Sequence, residues 1–194
     1  DLDPERICGV DLGIASPVYC AVNDGYERMN YPGGRVEAFR RQTERRKREL
    51  LRFGPFVGKG GSGHGYKRRV KIANVISDRV ARFRDTENDI ISRSVVDFAL
   101  INRCGTIQME DLSGIGELST FLKNWPYYDL QTKIEQKAKE VGIVVRKINP
   151  KYTSQRCHKC GHISSENRKT QANFACEKCG YSTNADFNAA KTLR

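Results

Sequence analysis

The sequence has no apolar run that approaches the roughly 18 consecutive residues a membrane-spanning helix needs. It also has no signal-peptide pattern, because the acidic residues Asp1, Asp3 and Glu5 precede the first strand-like run. These absences argue against a membrane partner and make a cytoplasmic location the expectation. The composition, with 38% hydrophobic and 29% charged residues, is that of a globular rather than a disordered chain. Its 194 residues suffice for one well-cored domain and a small accessory module.

A secretory disulfide framework is missing too, because the seven cysteines are odd in number and no secretory signal accompanies them. Four of the seven form two CxxC pairs, which favours metal ligation over disulfides. The other three, Cys8, Cys20 and Cys104, stand in apolar strand or helix-end contexts. We therefore interpret them as small buried hydrophobic residues.

What the chain does have is an excess of positive charge, unevenly distributed. The net charge of +11 divides into −3 over residues 1–35, +9 over 36–72, −2 over 73–145 and +7 over 146–194. Two basic segments beside more acidic ones suggest a polyanionic partner, for which nucleic acid is the obvious candidate. A solvated basic face is the alternative, and charge alone does not decide between them.

The hydrophobic pattern predicts a defined order of elements. Strands are expected at 6–13, 17–23, about 26–31, 106–112 and 143–148; helices at 36–53, from about 67 towards 103, from Asn124-Trp125-Pro126 to Gly142, and at 185–194. The stretch GPFVGKGGSGHG is too rich in glycine for either element, so the first two helices are expected to form an antiparallel pair joined by a flexible tip.

This order, without the cysteine-rich stretch, is β-β-β-α-β-α-β-α, which builds an α/β fold with a mixed sheet and flanking helices of the RNase H-like (RuvC) type. We expect this core over residues 1–152, with a helical hairpin inserted at about 36–103. A small four-cysteine zinc ribbon is expected over 153–183, and a final helix over 184–194. We expect the chain to begin in a linker, Asp1–Glu5, and to stop within the last helix, as an excised domain or a truncated product would.

Three carboxylates on distant parts of the chain are the candidate catalytic groups. Asp11 is expected in the middle of the apolar first strand, where a charge is costly unless it is paired or binds metal. The fourth strand supplies the second acid, which is either Glu110 or Asp111. Strand alternation does not decide which of the two is the ligand, because both faces of an internal strand can be covered. Asp186 opens the last helix, where a plain N-cap is the alternative interpretation. The predicted topology places the first strand centrally, the fourth beside it and the last helix across their ends.

Acids converging at one end of a sheet suit a magnesium-dependent phosphodiesterase. Magnesium prefers hard oxygen ligands and takes its remaining positions from water and substrate phosphate. Two ions roughly 3.5–4 Å apart would activate a water and stabilise the departing oxygen. Each acid alone is more simply explained as a surface charge, so the prediction depends on the set of three.

The two CxxC pairs have the spacing of a zinc ribbon. Cys157 and Cys160 are separated by fifteen residues from Cys176 and Cys179, and a glycine follows each pair, as expected for a left-handed turn residue. Four thiolates would close a tetrahedral site, so the single Zn²⁺ is expected to be structural rather than catalytic. His158 and His162 are alternative ligands but are expected to be exposed bystanders.

Several motifs together resemble a known family. GVDLG around Asp11, QMEDLSGI around Glu110, and YTSQRCHKCGH…FACEKCGYSTNADFNAA leading to Asp186 resemble the RuvC nuclease of type V CRISPR effectors and of TnpB-type, RNA-guided transposon proteins. The stretch FLKNWPYYDLQTKIEQKA resembles the miniature type V-F effectors in particular. The resemblance covers nearly the whole chain, and the combination TSQRCxxCG…NADxNAA is specific.

The resemblance implies an RNA-guided DNA endonuclease of prokaryotic origin, acting on single-stranded or unwound DNA. By this analogy the metal-binding acids are Asp11, Glu110 and Asp186, with two catalytic Mg²⁺ that Mn²⁺ can replace, and Glu110 is preferred to Asp111. The four cysteines would hold zinc in a target-nucleic-acid-binding module. The residues implied in nucleic-acid binding are Arg40, Arg41, Arg45, Arg46, Lys67, Arg68, Arg69, Arg156 and Arg168.

The chain departs from the family in lacking the amino-terminal half that reads the adjacent motif and holds the guide RNA. With sequence recognition delegated to base pairing, the isolated chain should have little sequence preference. Two alternatives remain open: a nucleic-acid or guide-RNA-binding module that is inactive in isolation, and a junction-resolving nuclease of the same fold, which would not need a zinc ribbon. A homodimer is also left open.

Overall fold

The computed structural model describes residues 1–13, 16–52, 64–112 and 127–193, with side chains left out at 50–75 and 77. Its strands are β1 (Asp3–Asp11), β2 (Val18–Val22), β3 (Arg28–Tyr31), β4 (Cys104–Glu110), β5 (Val144–Ile148), β6 (Asn173–Ala175) and β7 (Ser182–Asn184). Its helices are α1 (Gly34–Arg52), α2 (His64–Ile101), α3 (Tyr127–Glu140) and α4 (Ala185–Thr192). Residues 54–63 of the predicted hairpin tip and the start at Asn124-Trp125-Pro126 lie outside the described residues, whereas the last two residues of the tip, His64 and Gly65, belong to α2.

The main sheet is mixed and has the strand order β3-β2-β1-β4-β5. Strand β1 pairs antiparallel with β2 and parallel with β4, and β5 continues the parallel half. The prediction of a mixed sheet in an α/β fold, with the first strand central and the fourth beside it, is confirmed. Such a sheet brings the carboxyl ends of β1, β4 and β5 to one edge, because parallel strands run in the same direction.

Two details of β1 correct the sequence predictions. Residues Asp3–Glu5, expected as a linker, belong to the strand, because Asp3 pairs with Cys104 and its backbone N–H donates to the Arg103 carbonyl at 2.9 Å. Asp11 is the last residue of the strand and not a residue from its middle. The end of β1 is also the edge of the sheet at which its parallel neighbour β4 ends.

The apolar core lies between the sheet and helices α2 and α3. The three cysteines outside the CxxC pairs, Cys8, Cys20 and Cys104, are fully buried members of this core, so their interpretation as small hydrophobic residues is confirmed. On the helix side, Ile91 and Val95 of α2 and residues of α3 such as Leu130 are equally buried. Within the described part of the chain, no helix has the length and apolarity needed to cross a bilayer.

Helix α4 packs closely on β1 and β2. A β-carbon at Gly9 would overlap the Ala190 carbonyl oxygen, so only glycine allows the helix to approach this strand so closely. Phe187 packs edge-on against Tyr19 with ring centroids 6.3 Å apart, and Ala21 completes this small cluster. The short last helix is therefore fixed against the sheet by its small and aromatic residues.

Residues Gly33–Glu87 form a second compact unit, built from α1 and the first part of α2. Inside it, the rings of Phe39 and Phe83 stack at 3.7 Å between centroids, and Arg35 pairs with the buried carboxylate of Glu87 at 3.3 Å. The Arg79 guanidinium lies 5.8 Å from the Phe39 ring centroid, so an aromatic stack, a cation–π contact and an ion pair join the two helices of this unit.

Candidate functional site

Three acids from distant parts of the chain lie near one another in the fold. Asp11 ends β1 and Glu110 ends the parallel neighbour β4, so both belong to the same sheet edge. Asp186 is the second residue of α4, which packs on β1 and β2. The charges of both Glu110 and Asp186 raise the pKa of Asp11, so Asp11 lies within electrostatic reach of both acids.

The electrostatics of these acids indicate a need for positive charge. Burial, and after it the charges of Glu110 and Asp186, raise the pKa of Asp11 to about 8, while Arg168 acts in the opposite direction. Burial also raises the pKa of Glu110 and of Asp186, and Arg168 again acts in the opposite direction. A cation bound among the three carboxylates would stabilise their ionised forms, as carboxylates sharing one site otherwise repel one another.

The side chain of Glu110 is held by its surroundings. The Thr153 hydroxyl, which lies just after β5, donates a hydrogen bond to Oε1 of Glu110. Gln131 of α3, which is fully buried, donates from Nε2 to the Glu110 carbonyl oxygen at 2.5 Å. The neighbouring Asp111 follows the end of β4, and its backbone N–H donates to the Ile148 carbonyl at 2.7 Å. These contacts, with the effect of Glu110 on Asp11, support Glu110 over Asp111.

Asp186 is not the N-cap of α4. The cap is Asn184, whose Oδ1 accepts a hydrogen bond from the Phe187 backbone N–H at 3.0 Å. The capping interpretation of Asp186 is therefore wrong, because the position is taken two residues earlier. The Asp186 carboxylate instead faces Arg168, with Nη2 and Oδ1 3.5 Å apart. A side chain in the first helical turn is free to point away from the helix end and towards a site.

Tyr127, at the start of α3, also lies beside Asp11. Its hydroxyl donates to the Gly13 carbonyl oxygen at 3.0 Å. Burial and the charge of Asp11 together raise the pKa of Tyr127 to about 12, so its hydroxyl stays neutral. Neither Tyr127 nor Thr153 nor Gln131 was expected at the site. Thr153 belongs to the TSQRC motif, and that motif is the one signal in the sequence that could have found it.

The four cysteines form a far tighter group than the acids. Within the described residues, they are the one set of metal-binding side chains whose ligand atoms all lie within 4.8 Å of one another. The sulfurs of Cys157 and Cys179 are 3.8 Å apart, and those of Cys160 and Cys176 are 3.6 Å apart. A tetrahedral zinc site with Zn–S bonds of about 2.3 Å requires sulfurs about 3.8 Å apart. The residues present therefore fit one zinc ion.

The local backbone around the cysteines supports this geometry. Gly161 and Gly180, each directly after a CxxC pair, have φ angles of 75° and 71°, in the left-handed region that the sequence analysis expected. Each loop closes by a hydrogen bond from its glycine N–H, to the Cys157 and Cys176 carbonyls respectively. The pairs thus occupy two similar tight turns, next to the β6–β7 hairpin.

The two histidines near the cysteines are not the exposed bystanders that were expected. His158 is half-buried, with its ring edge-on to Tyr181 at 4.8 Å and to Phe187 at 6.2 Å. His162 is also half-buried, and its Nε2 lies 3.1 Å from Oε1 of Glu177. The physical reason is the small size of this region, in which large side chains between the turns supply much of the packing. Neither histidine belongs to the group of four sulfurs.

Arg168, one of the basic residues predicted to bind nucleic acid, belongs to the same compact unit as the three acids and lies beside Asp186. Arg40, Arg41 and Arg45 are exposed on α1 and paired with glutamates one turn away, and Arg46 is exposed beside them. Arg156 is exposed as well. The side chains of Lys67, Arg68 and Arg69 lie outside the described part of the structure.

Comparison with known proteins adds to this geometry. Residues 127–193 match the sequence family described as Cas12f1-like, TNB domain. Over 193 residues the chain is 51% identical to the CRISPR-associated endodeoxyribonuclease Cas12f1 of Sulfoacidibacillus thermotolerans, covering 99% of the chain and 46% of that protein. The chain is Cas12f1-like. The resemblance to the miniature type V-F effectors that its motifs predicted is thereby confirmed.

Two further relatives extend the comparison. A cryo-EM structure of a Cas12f1–sgRNA–target DNA complex matches with a TM-score of 0.82 and 32% identity, over 100% of this chain and 50% of that one. A TnpB-like protein of Aquifex aeolicus is 33% identical over 75 residues, 38% of this Cas12f1-like chain and 24% of the relative. The chain spans about half the length of the curated Cas12f1 relatives it matches.

Proposed function

We propose that this Cas12f1-like chain is the catalytic module of an RNA-guided DNA endonuclease, with an RNase H-like (RuvC) core that hydrolyses DNA phosphodiester bonds. The observation that carries the proposal is the convergence of Asp11, Glu110 and Asp186 around Arg168, from two adjacent strand ends and a helix. The names of its relatives, CRISPR-associated endodeoxyribonuclease and TnpB-like protein, support the same class of activity.

Two Mg²⁺ ions, which Mn²⁺ can replace, fit the oxygen-only donor set of the three acids. Once bound, such a pair supplies Lewis-acid stabilisation of both the attacking and the departing oxygen. Asp11 and Glu110 would hold the ions from the sheet edge, and Asp186 from α4. Thr153 would keep the Glu110 carboxylate in one orientation through its hydroxyl.

Arg168 has a second use in this proposal. Its side chain is about a quarter exposed, and its guanidinium lies beside Asp186, where a phosphate of the substrate strand would approach. When cations occupy the acids, the guanidinium is no longer needed to balance their charge and can contact that phosphate, as arginine does with two parallel hydrogen bonds. We propose single-stranded or unwound DNA as the substrate, in agreement with the expectation from the sequence.

The remaining assignments complete the proposal. Zinc held by the four cysteines is structural, because four sulfur ligands leave no open position. The domain limits are those expected above: a core over 1–152 with a hairpin at about 36–103, a zinc ribbon over 153–183 and a final helix over 184–194. Guide RNA and an amino-terminal recognition half would be partners in the full-length protein, a homodimer stays open, and the setting is the prokaryotic cytoplasm. The exposed arginines of α1 are proposed nucleic-acid contacts.

Cleavage of labelled single-stranded DNA in Mg²⁺ and in Mn²⁺ tests the proposal. We expect cutting that Asp11→Ala abolishes, while the control Asp24→Ala, an exposed acid paired with Arg6, leaves it unchanged. Cutting that survives Asp11→Ala would contradict the assignment. Tight DNA binding without turnover would favour the second candidate, a binding module idle in isolation, for which the Arg168–Asp186 pair is the specific observation. Preferential cutting of four-way junctions would favour a resolvase.

A further inference from the structure

Asn188 connects the helix of Asp186 to the first cysteine pair. It lies in α4 two residues after Asp186 and is fully buried. Its Nδ2 donates to the Arg156 carbonyl oxygen at 2.8 Å, and its Oδ1 accepts from the His158 backbone N–H at 3.1 Å. These two backbone groups stand on either side of Cys157. One carboxamide thus satisfies a donor and an acceptor that flank the first sulfur of the cluster.

Other contacts place α4 between the cysteine region and the main sheet. At the start of the helix, the Ala185 backbone N–H donates to the Ala172 carbonyl at 2.9 Å, and near its end the Thr192 hydroxyl lies 3.3 Å from the Arg156 carbonyl. The opposite side of α4 packs on the sheet through Phe187 and Ala190. Asn188 is the central one of these three contacts, and the Asp186–Arg168 pair is a further polar link between α4 and the cysteine region.

Local stability of the helix does not account for this asparagine. Asparagine is a poor residue for a helix interior, because its side chain competes with the backbone for hydrogen bonds. Burying its amide costs free energy unless both of its polar atoms find partners, and here both do so across an interface. The side chain is therefore explained by what it joins, the cysteine region and the helix that carries Asp186.

We propose that Asn188 is a positioning residue for the acid cluster. It fixes α4 to the first cysteine turn, so that the position of Asp186 depends on an ordered zinc-binding region. The proposal rests on the proposed function in treating the three acids as a divalent-cation site. It assigns a role to the second asparagine of the NADFNAA stretch, Asn188, whose two polar side-chain atoms bond the backbone beside Cys157. Zinc occupancy is then a condition for a well-formed acid cluster as well as for the ribbon.

The direct test is Asn188→Ala in the 194-residue chain, compared with Asn167→Ala. Asn167 is equally buried but bonds only within the cysteine region, to the Gln155 and His162 carbonyls and the Glu177 N–H. For Asn188→Ala we expect one zinc per chain to be retained, amide exchange in α4 to be about tenfold faster, and Mn²⁺ affinity, followed by electron paramagnetic resonance, to fall about tenfold. Asn167→Ala at saturating zinc should change Mn²⁺ affinity less than about twofold.

A second measurement on the unsubstituted chain covers the case in which Asn188→Ala does not fold. Removing zinc with a chelator should speed amide exchange in α4 while the amides of β4 stay protected. Unchanged α4 exchange, either in zinc-loaded Asn188→Ala or after zinc removal from the unsubstituted chain, would overturn the proposal. If Mn²⁺ binding proves independent of Asp11, the proposed function fails, and α4 exchange alone still decides the role of Asn188.

Discussion

The acid cluster and the cysteine cluster are both candidate metal sites, but the chain builds them in opposite ways. The four sulfurs come from two short turns close together in sequence and lie within 4.8 Å of one another. The three acids come from the first strand, the fourth strand and the last helix, and they are more widely spaced. The cysteine cluster is local and closed, whereas the acid cluster depends on the pairing of distant strands and on the packing of the last helix against them. A structural ion suits the first arrangement and a catalytic pair suits the second.

Breaking the cysteine cluster should produce the largest change. Replacing Cys157 with serine removes one of four ligands, and zinc sites of this type contribute on the order of 10 kcal/mol to the folding of the segment that holds them. We expect zinc to be lost and residues 151–185 to unfold, while the main sheet remains. Metal analysis and amide exchange would measure both effects.

The control for this change is Cys104→Ala, a fully buried cysteine of the core outside the cluster. It should retain zinc and cost about 1 kcal/mol of stability, as small core truncations do. A Cys157→Ser protein that keeps stoichiometric zinc and an ordered ribbon would show that the cluster is not a four-thiolate site.

Breaking the acid cluster should leave the fold intact and remove activity. Glu110→Gln keeps the size of the side chain but removes its charge, and we expect cleavage to fall roughly a thousandfold or more. The matched control is Asp111→Asn, one residue further along, which should change the rate less than about threefold. Equal losses in the two variants would mean that the choice between these neighbours is wrong. Rates of cleavage under single-turnover conditions, with zinc content as a check, decide the matter.

The difference between a local cysteine cluster and an acid cluster built from distant elements also explains how well the sequence predicted each of them. The cysteine spacing and the glycines after each pair are local signals, so the group of four and its left-handed turns could be predicted without the fold. The acids required the strand order, which the hydrophobic pattern supplied correctly for β1 and β4. The pattern did not place Asp11 at the end of its strand, because an apolar run does not mark where sheet pairing stops.

Side-chain partners were the part that the sequence did not predict. Thr153 and Gln131 both donate hydrogen bonds to Glu110, but they are distant from it in the sequence and come close to it only in the folded chain. Asn184, not Asp186, caps α4, and both residue types are good caps, so composition does not distinguish them. His158 was expected to be exposed, yet the rings of Tyr181 and Phe187 from later in the chain pack edge-on against it.

The pH dependence of stability should separate the two clusters in the absence of divalent cations. The pKa of Asp11 is raised from 3.8 to about 8 in the folded chain, so its favourable contribution is complete below about pH 4 and is lost as the pH rises through 8. Asp11→Asn removes this loss. We expect the variant to be more stable than the unsubstituted chain at pH 8 by about 1–2 kcal/mol, and to have a flatter profile.

Urea unfolding of zinc-loaded protein at pH 5 and pH 8, without magnesium, measures this effect. The exposed Asp24 supplies the control, since Asp24→Asn should leave the difference between the two pH values unchanged. If Asp11→Asn retains the full loss of stability between pH 5 and pH 8, burial of Asp11 is not its cause.

The smallest effect is expected for Thr153→Val, which removes the hydroxyl that donates to Glu110 and keeps the shape of the side chain. A single hydrogen bond to a charged group predicts a fall in cleavage rate of about tenfold. Thr132→Val removes a hydroxyl bonded to the Tyr128 carbonyl of its own helix, at 2.9 Å, and should change the rate less than about twofold. Indistinguishable rates for the two variants would remove Thr153 from the account of the acid site.

The central claim is that the chain has two separate metal sites, one of oxygen and one of sulfur ligands. Mn²⁺ titration of the zinc-loaded chain, with zinc content measured in the same samples, tests it most directly. We predict Mn²⁺ binding that Asp11→Asn weakens at least about a hundredfold, with one zinc per chain retained in both proteins. Mn²⁺ affinity that is unchanged in Asp11→Asn, or zinc that is lost together with Mn²⁺, would contradict the claim.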